Sequence, residues 1–434
     1  MPIEKLSDNE IKLLNTIRRF PHFSKSELSV ELGIPWSTVS NAIKKLQEKN
    51  LLNDIIDEDE DSSIYAKQYG AHITVNSSYE FYIGISVGTS NIKLIILDFA
   101  FNVVKKSFFD DKPYYENFQS FCNLIENNLN FNQDIETEYC EWCSITPDDT
   151  TELRIIIKDT TAYINNLKSE TLQYNTDCFN IAAICFTFPG LVDYKSQKII
   201  DTTNSGNVGF LQCDVSSIIS STVNEKLQKN NIKVFVDHNV KSCTVAEQEA
   251  LFIKQGKYSD RNIIVLYLGK GIGIGMVLDR KLYRGNNNRA GQFGRRLINY
   301  KNTKDEYKDH IPLEEAIRKD VFHHDDDFTK INARELRVML TTKEYEKERI
   351  LLANILSDSL GNVIKDLGVE HIIFSGKFNQ IFREIENDLR TKFEYNKQYN
   401  LILEGSSYGE YPAAVGAAMS CFNNIYSIPF EWDY

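Results

Sequence analysis

Ser37, Thr38, Ser40, Asn41, Lys44 and Lys45 fall within one short stretch, and their types suit recognition of double-stranded DNA. Hydroxyls and an amide can bond to base edges in the major groove, while ammonium groups neutralise phosphates. The stretch lies in segment 24–46, which has the pattern and spacing of a helix-turn-helix. The same residues would also suit the solvated face of a three-helix protein-interaction module. A glycine turn at Gly33, the hydroxyl run and a following hairpin together favour DNA. Glycine-rich turns also stand at Gly84-x-Ser86-x-Gly88 and Gly269-x-Gly271-Ile272-Gly273-x-Gly275. Such turns let backbone amides approach a phosphate closely. Two further groups could ligate metal, the Cys140/Cys143 pair and the run from His323 to Asp327. A lone CxxC without a second pair is more often incidental, and the His-His-Asp run reads as a solvated loop.

The elements that must carry these residues can be read from periodicity. Ile11, Leu14 and Ile17 recur at helical spacing behind Ser7 and Glu10, a capping-box arrangement. A second helix is expected over Ser24–Leu32, ending at Gly33, and a third from about Pro35 to Lys49. On the third, Val39, Ile43 and Leu46 form an apolar stripe, with Ser37, Asn41, Lys44 and Glu48 opposite. An acidic run, Asp57–Asp61, reads as a hairpin tip, and 71–75 as a strand. This is the winged-helix order. Wings that enter a minor groove are usually basic, so an acidic tip is expected to stay off the DNA.

Beyond residue 79 strands and helices alternate, as in an α/β domain, with long helices expected at about 344–366 and 378–393. Residues 85–98 can be laid on 266–279 without a gap, and both read as strand, glycine turn, strand. A duplicated hairpin of this kind opens each lobe of a two-lobed domain. The expected organisation is a winged head over 1–75 and a large domain over 79–434, with a variable insertion within 110–176.

Composition narrows the partners. A chain of 434 residues exceeds one ordinary domain, and no apolar run approaches bilayer length. With no secretory leader pattern at its start, a cytoplasmic protein without membrane contact is expected. Eight cysteines in so long a chain suit reduced core thiols. The net charge of −12 argues against general polyanion binding by the whole surface. Residues 1–53, however, carry eight Lys/Arg against six Asp/Glu.

With Gly84-x-Ser86-x-Gly88-Thr89, Phe188-Pro189-Gly190-Leu191-Val192-Asp193, Asp237-His238-Asn239 and Ala246-Glu247, the chain resembles the ROK family of repressors and sugar kinases. Gly269–Gly275, Leu282-Tyr283-Arg284-Gly285, Ala290-Gly291-Gln292-Phe293-Gly294 and Ala413–Ala418 follow in the same order. The resemblance, nearest to the repressor branch with an N-terminal winged helix-turn-helix, covers nearly the whole chain. It implies an actin-like, hexokinase-like fold with a sugar cleft between two lobes.

The resemblance also implies what has been lost. Family kinases have Asp where Ser86 stands, and a cleft Asp, taking the proton of the sugar hydroxyl, where Asn239 stands. An amide cannot take that proton. Lys270 replaces a small hydroxyl residue, and Ser375-Gly376 stands where two glycines are expected. No catalytic residue, cofactor or family zinc site is therefore expected. Arg295 occupies the position of a zinc-ligand His, and no cysteine lies between Cys243 and Cys421. Asn204, His238, Asn239, Gln292, Arg295 and Glu314 fall where the family contacts its sugar. Each can bond a hydroxyl, and Arg295 would suit an anionic or phosphorylated sugar. The expectation is a ligand-responsive repressor acting on operator DNA as a homodimer or higher oligomer. The rivals are an active sugar kinase, and a regulator whose large domain only oligomerises or binds a protein.

Overall fold

Each helix of the N-terminal head starts where the sequence supplies a cap. In the computed structural model, α1 (Asp8–Arg19) opens on a Ser7/Glu10 capping box, with the Ser7 amide donating to Glu10 Oε2 at 2.8 Å. Helix α2 (Lys25–Leu32) opens on a second box, Ser24 with Glu27, and closes on Gly33 at φ 62°. Helix α3 (Trp36–Glu48) follows Pro35, which sits at the cap itself and not inside the first turn. Leu14, Ile17, Leu28, Val39, Ile43 and Leu46 close the core of the three helices. Strands β1 (Leu52–Ile55) and β2 (His72–Val75) pair antiparallel, Leu52 opposite Val75.

The described residues are 6–21, 23–55, 72–88, 91–110, 180–201, 216–217, 220, 232–255, 261–269, 271–324, 333–395 and 401–426. Asp57–Asp61, Cys140 and Cys143, Asn204, Lys270, Asp325–Asp327 and all but Asp110 of the insertion expected within 110–176 lie outside them.

The rest of the chain builds two sheets of one topology. In the first lobe β3 (Phe81–Val87), β4 (Asn91–Leu97), β5 (Val103–Asp110), β6 (Ile181–Phe188) and β9 (Lys233–His238) lie in the order β5-β4-β3-β6-β9. A side hairpin, β7 (Leu191–Asp193) with β8 (Lys198–Asp201), precedes β9. Helix α4 (Asn239–Gln255) leaves the end of β9 directly. In the second lobe β10 (Asn262–Leu268), β11 (Ile272–Leu278), β12 (Lys281–Leu282), β15 (Val369–Gly376) and β16 (Ile402–Gly405) lie in the order β12-β11-β10-β15-β16. Between them come the hairpin β13 (Leu297–Lys301) and β14 (Tyr307–Pro312) and the helices α5 (Leu313–Ala316), α6 (Ala333–Thr341) and α7 (Glu346–Leu367). Helix α8 (Lys377–Tyr395) joins β15 to β16, and α9 (Pro412–Ile425) follows β16.

The two sheets match strand for strand, each with an antiparallel hairpin pair flanked by two parallel strands. The hairpin similarity in the sequence therefore marks the start of a duplicated unit. Each unit ends in a helix that crosses to the other lobe: α9 packs on β3, β4 and β6, and α4 on β10 and β11. The two helices also touch, at Gly416. A Cβ added there would run into the carbonyl oxygen of Ser242. The long helices α7 and α8 begin and end within about two residues of their expected limits, the usual uncertainty of helix ends. No helix among the described residues is long and apolar enough to cross a membrane.

Candidate functional site

At about 100° per residue, Ser37, Asn41, Lys44 and Glu48 fall along one line of α3. All four are exposed, while Val39, Ala42, Ile43 and Leu46 are buried on the opposite face. Thr38 and Ser40 flank the line and are half-buried. Lys45 turns toward α1, where its Nζ lies 3.8 Å from Glu10 Oε1. Burial alone would raise the Glu10 carboxyl, but bonds from Ser7 and the charges of Lys49 and Lys45 hold it below its ordinary value. Part of the charge of Lys45 is thus matched inside the head. Trp36, the first residue of the helix, adds an indole that is 55% exposed beside this line.

The local charge count needs a correction. The head's surplus of two positive charges equals Arg18 and Arg19, and both side chains are buried against Glu249 of α4. They face the large domain, not a DNA groove.

The cleft between the lobes is floored by the ends of parallel strands. Ser86, Thr187 and Asp237 stand side by side across β3, β6 and β9. Asp237, fully buried, takes two bonds of 2.8 Å from Arg284, whose guanidinium lies 3.9 Å from the centre of the Tyr194 ring. Lys241, in the first turn of α4, is 1% exposed and donates to the carbonyls of Tyr283 and Ala290, both at 3.0 Å. Burial, with Arg284 nearby, pushes its ammonium down to about 7. Burial and the charges of Lys241 and Arg284 likewise push His238 down to about 4, so its imidazole is neutral at physiological pH. Asn239 Nδ2 reaches the Val87 carbonyl only at 3.5 Å, and the buried Asn239 Oδ1 and Thr187 Oγ1 have no protein partner. Buried acceptors and hydroxyls in that state are positions a ligand hydroxyl can satisfy.

The expected cleft residues meet around the start of β11. Val240, next to Asn239, packs on Gly273, and the Gly291 carbonyl accepts from Ile274 N at 3.0 Å. Half-buried Gln292 follows Gly291, and exposed Arg295 follows Gly294. Glu314 accepts from Ile272 N at 3.2 Å, and its carboxylate fills the space that side chains at Gly271 and Gly294 would need. Asn204 lies outside the described residues. Arg295 leads into the hairpin β13–β14, and among the described residues no group of three or more His, Cys, Asp or Glu is arranged to hold a metal. His323, half exposed, lies 3.2 Å from Glu348.

The glycine hairpins, expected to approach a phosphate, have protein partners instead. Lys93, from the first glycine hairpin, crosses to the second lobe, donating to the Glu410 carbonyl at 2.9 Å and pairing with its carboxylate at 3.7 Å. In the second hairpin Gly269 N donates to the Gly271 carbonyl, so the turn is closed on itself. A side chain at Gly269 would strike the Tyr267 ring, and one at Gly376 the Leu268 carbonyl. These glycines are accounted for by packing, without a phosphate.

In the sequence Arg284 and Asp237 stand out only as family markers, Arg18 and Arg19 only as part of the head's charge, and Lys241 and Glu249 not at all. A Lys inside the run Val240–Ala246 was the one available signal, since a charge among apolar neighbours must find partners. The Arg18–Glu249 pairing spans 231 residues and leaves no local pattern.

The model of the ROK family matches residues 128–420, and that of a winged helix-turn-helix DNA-binding domain matches residues 6–53. The xylose repressor of Staphylococcus xylosus is 22% identical over 294 residues, 68% of this chain and 61% of that protein. That of Bacillus subtilis (strain 168) is 23% identical over 296 residues, 68% and 62% of the two chains. The match thus spans about three fifths of the length of these relatives. Among solved structures, a ROK family transcriptional regulator homologous to the E. coli MLC protein aligns over 97% of this chain and 99% of its own, with a TM-score of 0.59 and 15% identity. The ROK hexokinase of Thermus thermophilus aligns over 80% and 99%, with a TM-score of 0.50 and 14% identity. At such identities these neighbours show the fold alone.

Proposed function

Because this chain belongs to the ROK family, we propose that it is a sugar-responsive transcriptional repressor, reading operator DNA with a head in residues 1–75 and lacking kinase activity. The observation that carries the reading is the pairing of an exposed Ser37–Asn41–Lys44 line on a winged helix-turn-helix with a cleft whose proton-accepting position holds the amide of Asn239. The names of the xylose repressors support a carbohydrate effector. The cleft supports one chemically: neutral His238, the orphan Asn239 Oδ1, Gln292 and Glu314 offer acceptors and donors to hydroxyls, and Arg295 to an anionic group. Recognition of a two-fold operator calls for a homodimer or larger assembly.

Ligand acts only through differential affinity for two states of the protein. In this reading, closure of the lobes on a sugar or sugar phosphate repositions paired heads and loosens their grip on DNA. The test is to select binding sites from a random duplex library and then titrate the complex with D-xylose, other pentoses, hexoses and their phosphates. Release of the selected DNA by one class supports the reading. Failure to enrich any DNA sequence would overturn it.

A further inference from the structure

Helix α4 has one end in the cleft and the other under the head. It starts at Asn239, anchors to the second lobe through Lys241, and carries Glu249 about 12 Å further along. More bonds tie its outer half to the second lobe. Glu247 accepts from Ser406 Oγ and Ser407 N, and Gln248 donates to the Arg280 carbonyl. Lys254 pairs with Glu404 at 2.7 Å. These bonds tie the helix to the second lobe along its length, although it leaves β9 of the first lobe directly.

Glu249 grips the head. Arg18 Nη2 donates to Glu249 Oε1 at 2.7 Å, and Arg19 donates through Nε and Nη2 at 3.0 and 2.7 Å. All three side chains are 7% exposed or less. The Arg18 guanidinium also lies 3.7 Å from the centre of the Phe101 ring, in the turn between β4 and β5, and 5.4 Å from that of Phe422 on α9. Arg19 stacks over Phe252 at 4.8 Å. Arg18 thus touches the first lobe, the helix α9 and the helix α4 at once. Buried charges hold one geometry and tolerate few others, because a displaced partner leaves an uncompensated ion. If α4 and the second lobe rotate against the first lobe, Arg18 cannot keep both its carboxylate and its aromatic seat.

We propose that Arg18, Arg19 and Glu249 are the joint through which the DNA-reading head senses the interlobe cleft, with α4 as the shared lever. The purpose of the joint rests on the repressor reading; its mechanical content does not. They are positioning residues, touching neither DNA nor effector.

The test is a cycle of variants on the full chain, read by amide hydrogen exchange without DNA or ligand. Lys241→Met perturbs the cleft end of the lever. It should raise exchange in residues 8–19 by about fivefold or more, the lower range of ordinary coupling. In a Glu249→Gln background the same substitution should leave residues 8–19 unchanged. Should Glu249→Gln not fold, Arg18→Lys takes its place, keeping the charge without the flat face for Phe101. Lys241→Met acting on the cleft alone, or acting equally on the head with and without the joint, overturns the proposal. A head that selects no DNA would sink the repressor reading and leave this result standing.

Discussion

Lys44 and Lys45 look alike in the sequence and differ in their surroundings. Lys44 is exposed and faces outward, so Lys44→Ala should weaken binding to all duplexes and lower the salt slope by about one. Lys45 already shares Glu10, so Lys45→Ala should change the slope less. Asn41→Ala should relax preference at one base position, costing roughly 1–3 kcal/mol if the amide reads an adenine. Titrations of selected DNA and its single-base variants at several salt concentrations check all three. In the cleft, His238 titrates at about 4 against an ordinary 6.5. The unfolded chain therefore binds more protons between these values. Stability from this group is full above pH 6.5 and is lost as the pH falls toward 4, by on the order of 2 kcal/mol for a half-buried ring. Urea titrations across that range should show the loss, and His238→Gln should flatten it.

At the scale of elements, the turn of the helix-turn-helix is fixed by backbone conformation alone. Gly33 has φ 62°, and nothing lies within 4 Å of where its Cβ would be. Gly33→Ala should therefore cost about 1 kcal/mol from strain only, and Ser24→Ala about 1 kcal/mol from the lost cap. Thermal unfolding measures both. These elements were legible because caps, glycine turns and apolar stripes act within a few residues. Ser7 with Glu10 named the start of α1, and Gly33 the end of α2. Pro35 was misplaced by one position, since its fixed φ suits a cap as well as a first turn. The buried ion pairs were not legible. Arg18 counts only as one of the head's positive charges and Asp237 only as a family marker, until distant segments supply Glu249 and Arg284.

For the whole molecule, two sheets of matching strand order enclose a cleft whose expected proton acceptor is the amide of Asn239. Purified protein should show no ATP-dependent phosphorylation of hexoses, pentoses or amino sugars in a coupled assay. Asn239→Asp alone should not restore it, because Ser86 still lacks a carboxylate and Lys93 still spans the lobes to Glu410. Robust turnover by the unmodified chain would overturn the repressor-only reading. Elemental analysis after dialysis should find well below one zinc per chain, since the position that the resemblance gives to a ligand His holds Arg295 and no cysteine lies between Cys243 and Cys421. The duplication was visible as a hairpin laid on a hairpin, and the matching order of five strands extends it to the full lobes.

The crossing of α4 and α9 is a contact between backbones, Gly416 against the Ser242 carbonyl. Most buried contacts join two side chains, so a bulky change on one can be relieved by trimming the other. Here there is nothing to trim. A suppressor screen starting from Gly416→Ala should therefore return reversion to glycine and little else, whereas one starting from an overpacked side chain nearby, such as Ala418→Val, should return second-site changes. Where α4 crosses α9, the molecule then has few genetic routes around the loss of a glycine.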